Sequence, residues 1–168
     1  SQSLTVSNTA ANDGFSEGLG VRASDTGAAT VSGSVAGLIA AGANNSALSV
    51  ALDTSVAGNR SGTVELAYTS DGTGTSGLAA VGAGSQSVEV SGAVYRLASA
   101  QINNAGSFSF GNVHVGDAVS QALSITNNVA DDGFSEALDA SFGSSSDARI
   151  TTTGSIGLLG AGTTDATS

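Results

Sequence analysis

The chain has 168 residues, with 14 acidic side chains set against four Arg and no Lys, for a formal net charge of −10. Nucleic acid and anionic lipid surfaces bind chiefly through cationic side chains, so this balance excludes both as partners. Charged residues make up only 11% of the chain and hydrophobic residues 40%, which excludes a disordered acidic polymer and points to a folded, Gly-rich β protein.

Taken in chain order, the apolar residues alternate with polar ones, the period that places one set on one face of a strand. Leu4 and Val6 predict a strand over 3–8. Asp13-Gly14 is a turn signal, and strands over 17–23 and 29–36 follow. Ala36–Ala43 (AGLIAAGA) is the one helix-like patch, too short and Gly-bounded for more than a turn of helix. Leu48, Val50 and Leu52 predict a strand over 47–53, and Val64, Leu66 and Tyr68 one over 62–69. The run DGTGTSG from Asp71 reads as a loop. Val88 and Val90 lie on a strand over 85–96, and a linker over 97–106 follows. Further strands are expected over 107–116, 121–128, 136–142 and 149–156. With no long amphipathic helix to cross between parallel strands, the spacing predicts an antiparallel sandwich.

An internal repeat organises these elements. SQSLTVSNTAANDGFSEGL from Ser1 returns as SQALSITNNVADDGFSEAL from Ser120, with 11 of 19 positions identical and an offset of 119. GLIAAGA from Gly37 returns as GLLGAGT from Gly157, an offset of 120. Such a period exceeds a solenoid coil or propeller blade, which run about 20–50 residues, and suits one sandwich module of about 100. The expected division is a module over 1–97 that lacks its first strand, then the N-terminal part of the next repeat over 98–168, the whole being an excised segment cut out of phase.

Phe108–Asn128 carries a further pattern: Phe110-Gly111, Val113, Val115-Gly116, then Leu123, Ile125 and Asn127. It resembles the opening strands of the ASH/MSP-like immunoglobulin-like repeats of bacterial "choice-of-anchor D" surface proteins. The resemblance implies tandem seven-stranded immunoglobulin-like β-sandwich modules, used as spacers or docking units, with no catalytic residues. On that pattern Phe110, Val113 and Val115 pack on a core and Gly116 turns the chain.

Candidate chemistry is sparse. His114, the single histidine, lies between Val113 and Val115 and is expected to point outward as a surface strand residue. Without Cys or a second His, a zinc site or a Ser-His-Asp arrangement has no partners. Asp131, Asp132, Glu136 and Asp139 form an acidic cluster, echoed by Asp13 and Glu17. Oxygen-rich loops hold calcium, but the spacing is neither that of an EF-hand nor that of the GGxGxD nonapeptide. The cluster reads as a solvated loop, a structural calcium site being the alternative. A glycosidase pair would sit among aromatic platforms, and here aromatic residues are 4% of the chain with no Trp. Phe15 and Phe134, in the repeated DGFSE, are expected to anchor their loops onto the core. Asn44-Asn45-Ser46 and Asn59-Arg60-Ser61 match the short glycosylation pattern. No catalytic, cofactor or metal residue is assigned. The expectation is a non-enzymatic structural repeat of an extracellular bacterial surface or matrix fibre. Its partners are neighbouring copies of the module, joined by strand complementation. The alternative is a glycan- or protein-binding surface module.

Overall fold

Every regular element among residues 1–166, the part described by the computed structural model, is a β-strand. Two compact units divide the chain, Ser1–Val94 and Tyr95–Ser168.

In the first unit β1 (Gln2–Ser7), β4 (Asn44–Leu52) and β3 (Ala29–Ser32) form one antiparallel sheet in the order β1-β4-β3. β2 (Gly18–Gly27), β5 (Gly58–Asp71) and β6 (Val81–Val94) form a second in the order β2-β5-β6. Alternation explains why the two sheets share a core. Val6, Ala29 and Leu48 of the first sheet are buried in one cluster with Val64 and Leu66 of the second. Leu4, Val50, Val21, Tyr68, Val88 and Val90 pack around them. Their polar neighbours face out, giving a sandwich-like unit. Close backbone approach is needed where β2 turns into β3 across β5: a Cβ on Gly62 would lie 2.2 Å from the Ala29 amide nitrogen and 2.3 Å from the Thr26 carbonyl oxygen. Only glycine fits there.

The Ala36–Ala43 patch forms no turn of helix. Ile39 is extended and exchanges both backbone hydrogen bonds with Leu19, each 2.9 Å. Glycines with positive φ bound the segment, Gly37 at 76° and Gly42 at 74°. Burying Ile39 in the core stabilises the extended form, whereas one helical turn would gain almost no hydrogen bonding.

The second unit holds β7 (Ala100–Ile102), β8 (Ile125–Asn127), β9 (Leu138–Ser141), β10 (Ser155–Leu159) and β11 (Thr164–Asp165). They make two antiparallel sheets, β7-β8-β11 and β9-β10. Three expectations are corrected here. β7 lies inside the expected linker. No strand forms over 107–116, and Phe110, Val113 and Val115 are 47%, 51% and 108% exposed rather than packed on a core. The strand expected over 149–156 forms later, as β10. An extended segment persists when a neighbouring strand takes its amides and carbonyls, and among the described residues no strand pairs with 107–116. Gly116 does turn the chain, with φ of 98°. His114 is exposed, but in a loop rather than on a strand.

Candidate functional site

The most informative place on the molecule is the repeated DGFSE turn together with the strand that leads into it. In both copies Asp-Gly makes the same turn. Asp13 Oδ1 accepts a hydrogen bond from the Phe15 amide at 2.9 Å, and Asp132 Oδ1 accepts one from Phe134 at 3.0 Å. Gly14 and Gly133 take φ of 83° and 80°, a region that favours glycine.

Behind each turn stands a buried asparagine, Asn8 or Asn127. Asn8 Nδ2 donates to the carbonyls of Glu17 (3.1 Å) and Ile39 (3.0 Å). Asn127 Nδ2 donates to the carbonyls of Glu136 (3.0 Å) and Leu159 (3.1 Å). The backbone repeats the match. The Asn8 amide donates to Ala43 and its carbonyl accepts from Gly42; the Asn127 amide donates to Thr163 and its carbonyl accepts from Gly162, at 2.9–3.0 Å throughout. One primary amide thus fastens the strand, the DGFSE turn and the GLxxAG segment together in each copy.

The copies differ in what covers this framework. In the second unit the residues before β8 lie across it. Tyr95 meets Phe134 with ring centroids 5.7 Å apart. The Arg96 amide donates to the Phe134 carbonyl (2.8 Å), and the Arg96 carbonyl accepts from Glu136 (3.0 Å). The Arg96 guanidinium pairs with Asp132 and reaches Ser135. That guanidinium, followed by the Phe134 amide, holds the Asp132 carboxyl below its ordinary range. Asn127 Oδ1 accepts from the Ser99 amide at 3.1 Å, and β7 runs along β8. In the first unit Asn8 Oδ1 instead accepts from the nearby Ala10 amide at 3.2 Å. β1 ends its sheet with no further strand along it among the described residues.

Phe15 therefore corrects an expectation: it is 92% exposed and anchors nothing. Phe134, partly buried, owes its cover to Tyr95, so the turn itself holds the ring outward in both copies. The acidic residues are dispersed among separate tasks. Asp132 serves Arg96, Asp139 Oδ1 accepts from the Leu158 amide at 2.6 Å, and Glu17 accepts from the Ser70 and Ser76 hydroxyls, which lower its pKa. Among the described residues no three of His, Asp and Glu gather as a metal site would require. Asn45 accepts from the Ala47 amide on β4, and Asn59 lies on β5; both glycosylation patterns fall on strands.

Set against protein-family profiles, curated proteins and solved structures, the chain matches none.

Sequence reasoning missed Asn8, Tyr95 and Arg96. Asn8 had a signal, since it is identical in both copies and takes the inward position next after Leu4 and Val6 in the alternation. Tyr95 and Arg96 had none, because the chain holds one copy of that segment.

Proposed function

We propose that this chain is a non-catalytic structural repeat, an immunoglobulin-like sandwich module strung head to tail in a bacterial surface or matrix fibre outside the cell. The observation that carries the reading is the duplicated asparagine framework, in which both side-chain amide bonds and both main-chain bonds of Asn8 recur at Asn127. A 119-residue sequence period that reproduces one hydrogen-bonded unit is what a modular array requires.

Strand order supports the immunoglobulin-like part. Adding a β7-type strand beside β1, where β7 stands beside β8, gives β7-β1-β4-β3 facing β2-β5-β6. That four-plus-three division corresponds to the ABED and CFG sheets of the constant-type immunoglobulin sandwich. The chain passes from one compact unit to the next at Val94–Tyr95, which suits an array of consecutive modules. The resemblance of Phe108–Asn128 to bacterial surface repeats supports the location.

Concatenated chains test the reading. With one, two and three added 119-residue periods, small-angle scattering should show rods whose longest dimension grows by a constant increment. A maximum dimension that grows only as the cube root of mass would contradict it.

A further inference from the structure

The longest edge strand of the first unit is β6, which runs over 14 residues and pairs only with β5 among the described residues. The direction of its free groups follows from β5. The Ser61 carbonyl accepts from the Ala28 amide at 2.9 Å, so odd-numbered β5 residues turn their backbone groups toward β2 and even-numbered ones toward β6. Gln86, Val88, Val90, Gly92 and Val94 stand opposite those even-numbered residues and bond to them. Ser85, Ser87, Glu89, Ser91 and Ala93 therefore direct their amides and carbonyls away from the sheet, and each is exposed. From Ser85 to Val94 the pairing with β5 is unbroken, so the free row is regular.

Edge strands are ordinarily kept apart by short length, Lys, Pro or a covering segment. β3 is four residues long, and β2 has its outer side engaged at Leu19, which exchanges both backbone bonds with Ile39. β6 carries neither Lys nor Pro, and Glu89 is its one charged residue. Its edge position also holds through the repeat period. A strand from a preceding period would follow β7, which lies beside β8; the counterpart of β8 is β1, in the other sheet.

We propose that β6 binds a second copy of this chain, β6 against β6, antiparallel about a two-fold axis at Val88. Outward backbone groups meet only when odd-numbered residues face odd-numbered ones, which places the axis at a residue. At Val88 the axis sets Ser85 against Ser91 and Glu89 against Ser87 of the other copy. The inner face then sets Val88 against Val88 and Gln86 against Val90, so the half-buried valines gain apolar cover. An axis at Glu89 would put the two carboxylates directly opposite, which destabilises a cross-strand pair. An axis at Val90 would set Val88 against Gly92 and Ser87 against Ala93, losing the apolar and hydroxyl pairs. Main-chain bonding supplies the affinity, and the contact is isologous, so it closes as a dimer. Repeated once per module, it would zip two fibres side by side. The inference goes beyond the structural-repeat reading and is tested without it.

The test is sedimentation equilibrium of the whole chain up to about 1 mM, where a contact of one strand pair is populated. The expected result is a monomer–dimer equilibrium that salt strengthens, because each copy carries a net charge of −10. Ser87→Pro removes an outward amide and no bond to β5, so the variant keeps its fold, checked by its amide spectrum. It should weaken dimerisation about tenfold or more. Glu89→Gln should tighten the dimer about twofold or more, since the two Glu89 lie diagonally across the axis. In this chain without cysteine, Val88→Cys should oxidise to a linked dimer more readily than Val90→Cys. A chain that stays monomeric at about 1 mM overturns the proposal. A dimer that Ser87→Pro leaves intact joins elsewhere and overturns it too, and preferential linkage at Val90 overturns the register. None of these outcomes bears on the rod-length test of concatenated chains, so loss of this inference is distinguishable from loss of the structural reading.

Discussion

Asn8 and Asn127 hold three segments together through one side chain each, and the chemistry leaves few substitutes. A primary amide donates two hydrogens and accepts at its oxygen; here both donors meet backbone carbonyls, part-buried at Glu17, Glu136 and Leu159 and buried at Ile39. Asn8→Ala would remove the bond to the Glu17 carbonyl and leave the Ile39 carbonyl with the Leu19 amide alone, at a cost of about 1–3 kcal/mol, and Asn8→Asp should cost more, since a carboxylate cannot donate to either. Urea denaturation followed by amide signals of the first unit measures this, and a loss below about 0.5 kcal/mol would show that water replaces the bonds. Acid tests the neighbouring turn. The Asp132 carboxyl is lowered from 3.8 by Arg96 first and the Phe134 amide second. A depressed folded-state pKa means that the pairing contributes fully above 3.8 and is lost as pH falls through the lower folded value. The Tyr95–Phe134 ring contact, followed by ring proton shifts, should therefore hold down to that range and loosen below it. Asp132→Asn should remove this step, and an unchanged acid midpoint in the variant would contradict the assignment. At this scale the sequence was legible where residues are duplicated and opaque where they are not. DGFSE stood out as a motif, but the outward aim of its phenylalanine depends on a turn geometry that apolarity does not encode.

Among the elements, β5 is central in its sheet and carries Val64 and Leu66, both buried. Its amides should exchange most slowly in the first unit, while outward-facing amides of β1 exchange freely. Hydrogen exchange resolved by strand checks this, and equal protection along both edges of β1 would mean that an unrecognised segment covers it. Leu48→Ala removes a buried side chain from β4 and should cost about 2–5 kcal/mol. Strands with a partner on the page were readable from alternation alone. β1, β2, β4, β5 and β6 fall close to their expected spans, because alternation and burial reinforce one another there. The 107–116 segment alternates just as well and forms no strand, because alternation describes a face and a strand also needs an edge to bond. β7 and β11, three and two residues long, are too short to carry a period.

For the whole molecule, the repeat is the property from which function is argued. Two compact units, Ser1–Val94 and Tyr95–Ser168, repeat one set of asparagine hydrogen bonds, and the proposed fibre is argued from that recurrence. A net charge of −10 would keep the proposed fibres from adhering through nonspecific charge to nucleic acid or anionic lipid. The most direct test of the modular reading is small-angle scattering of chains lengthened by one, two and three 119-residue periods. A longest dimension that grows by a constant increment is the predicted result, and growth only as the cube root of mass would contradict it.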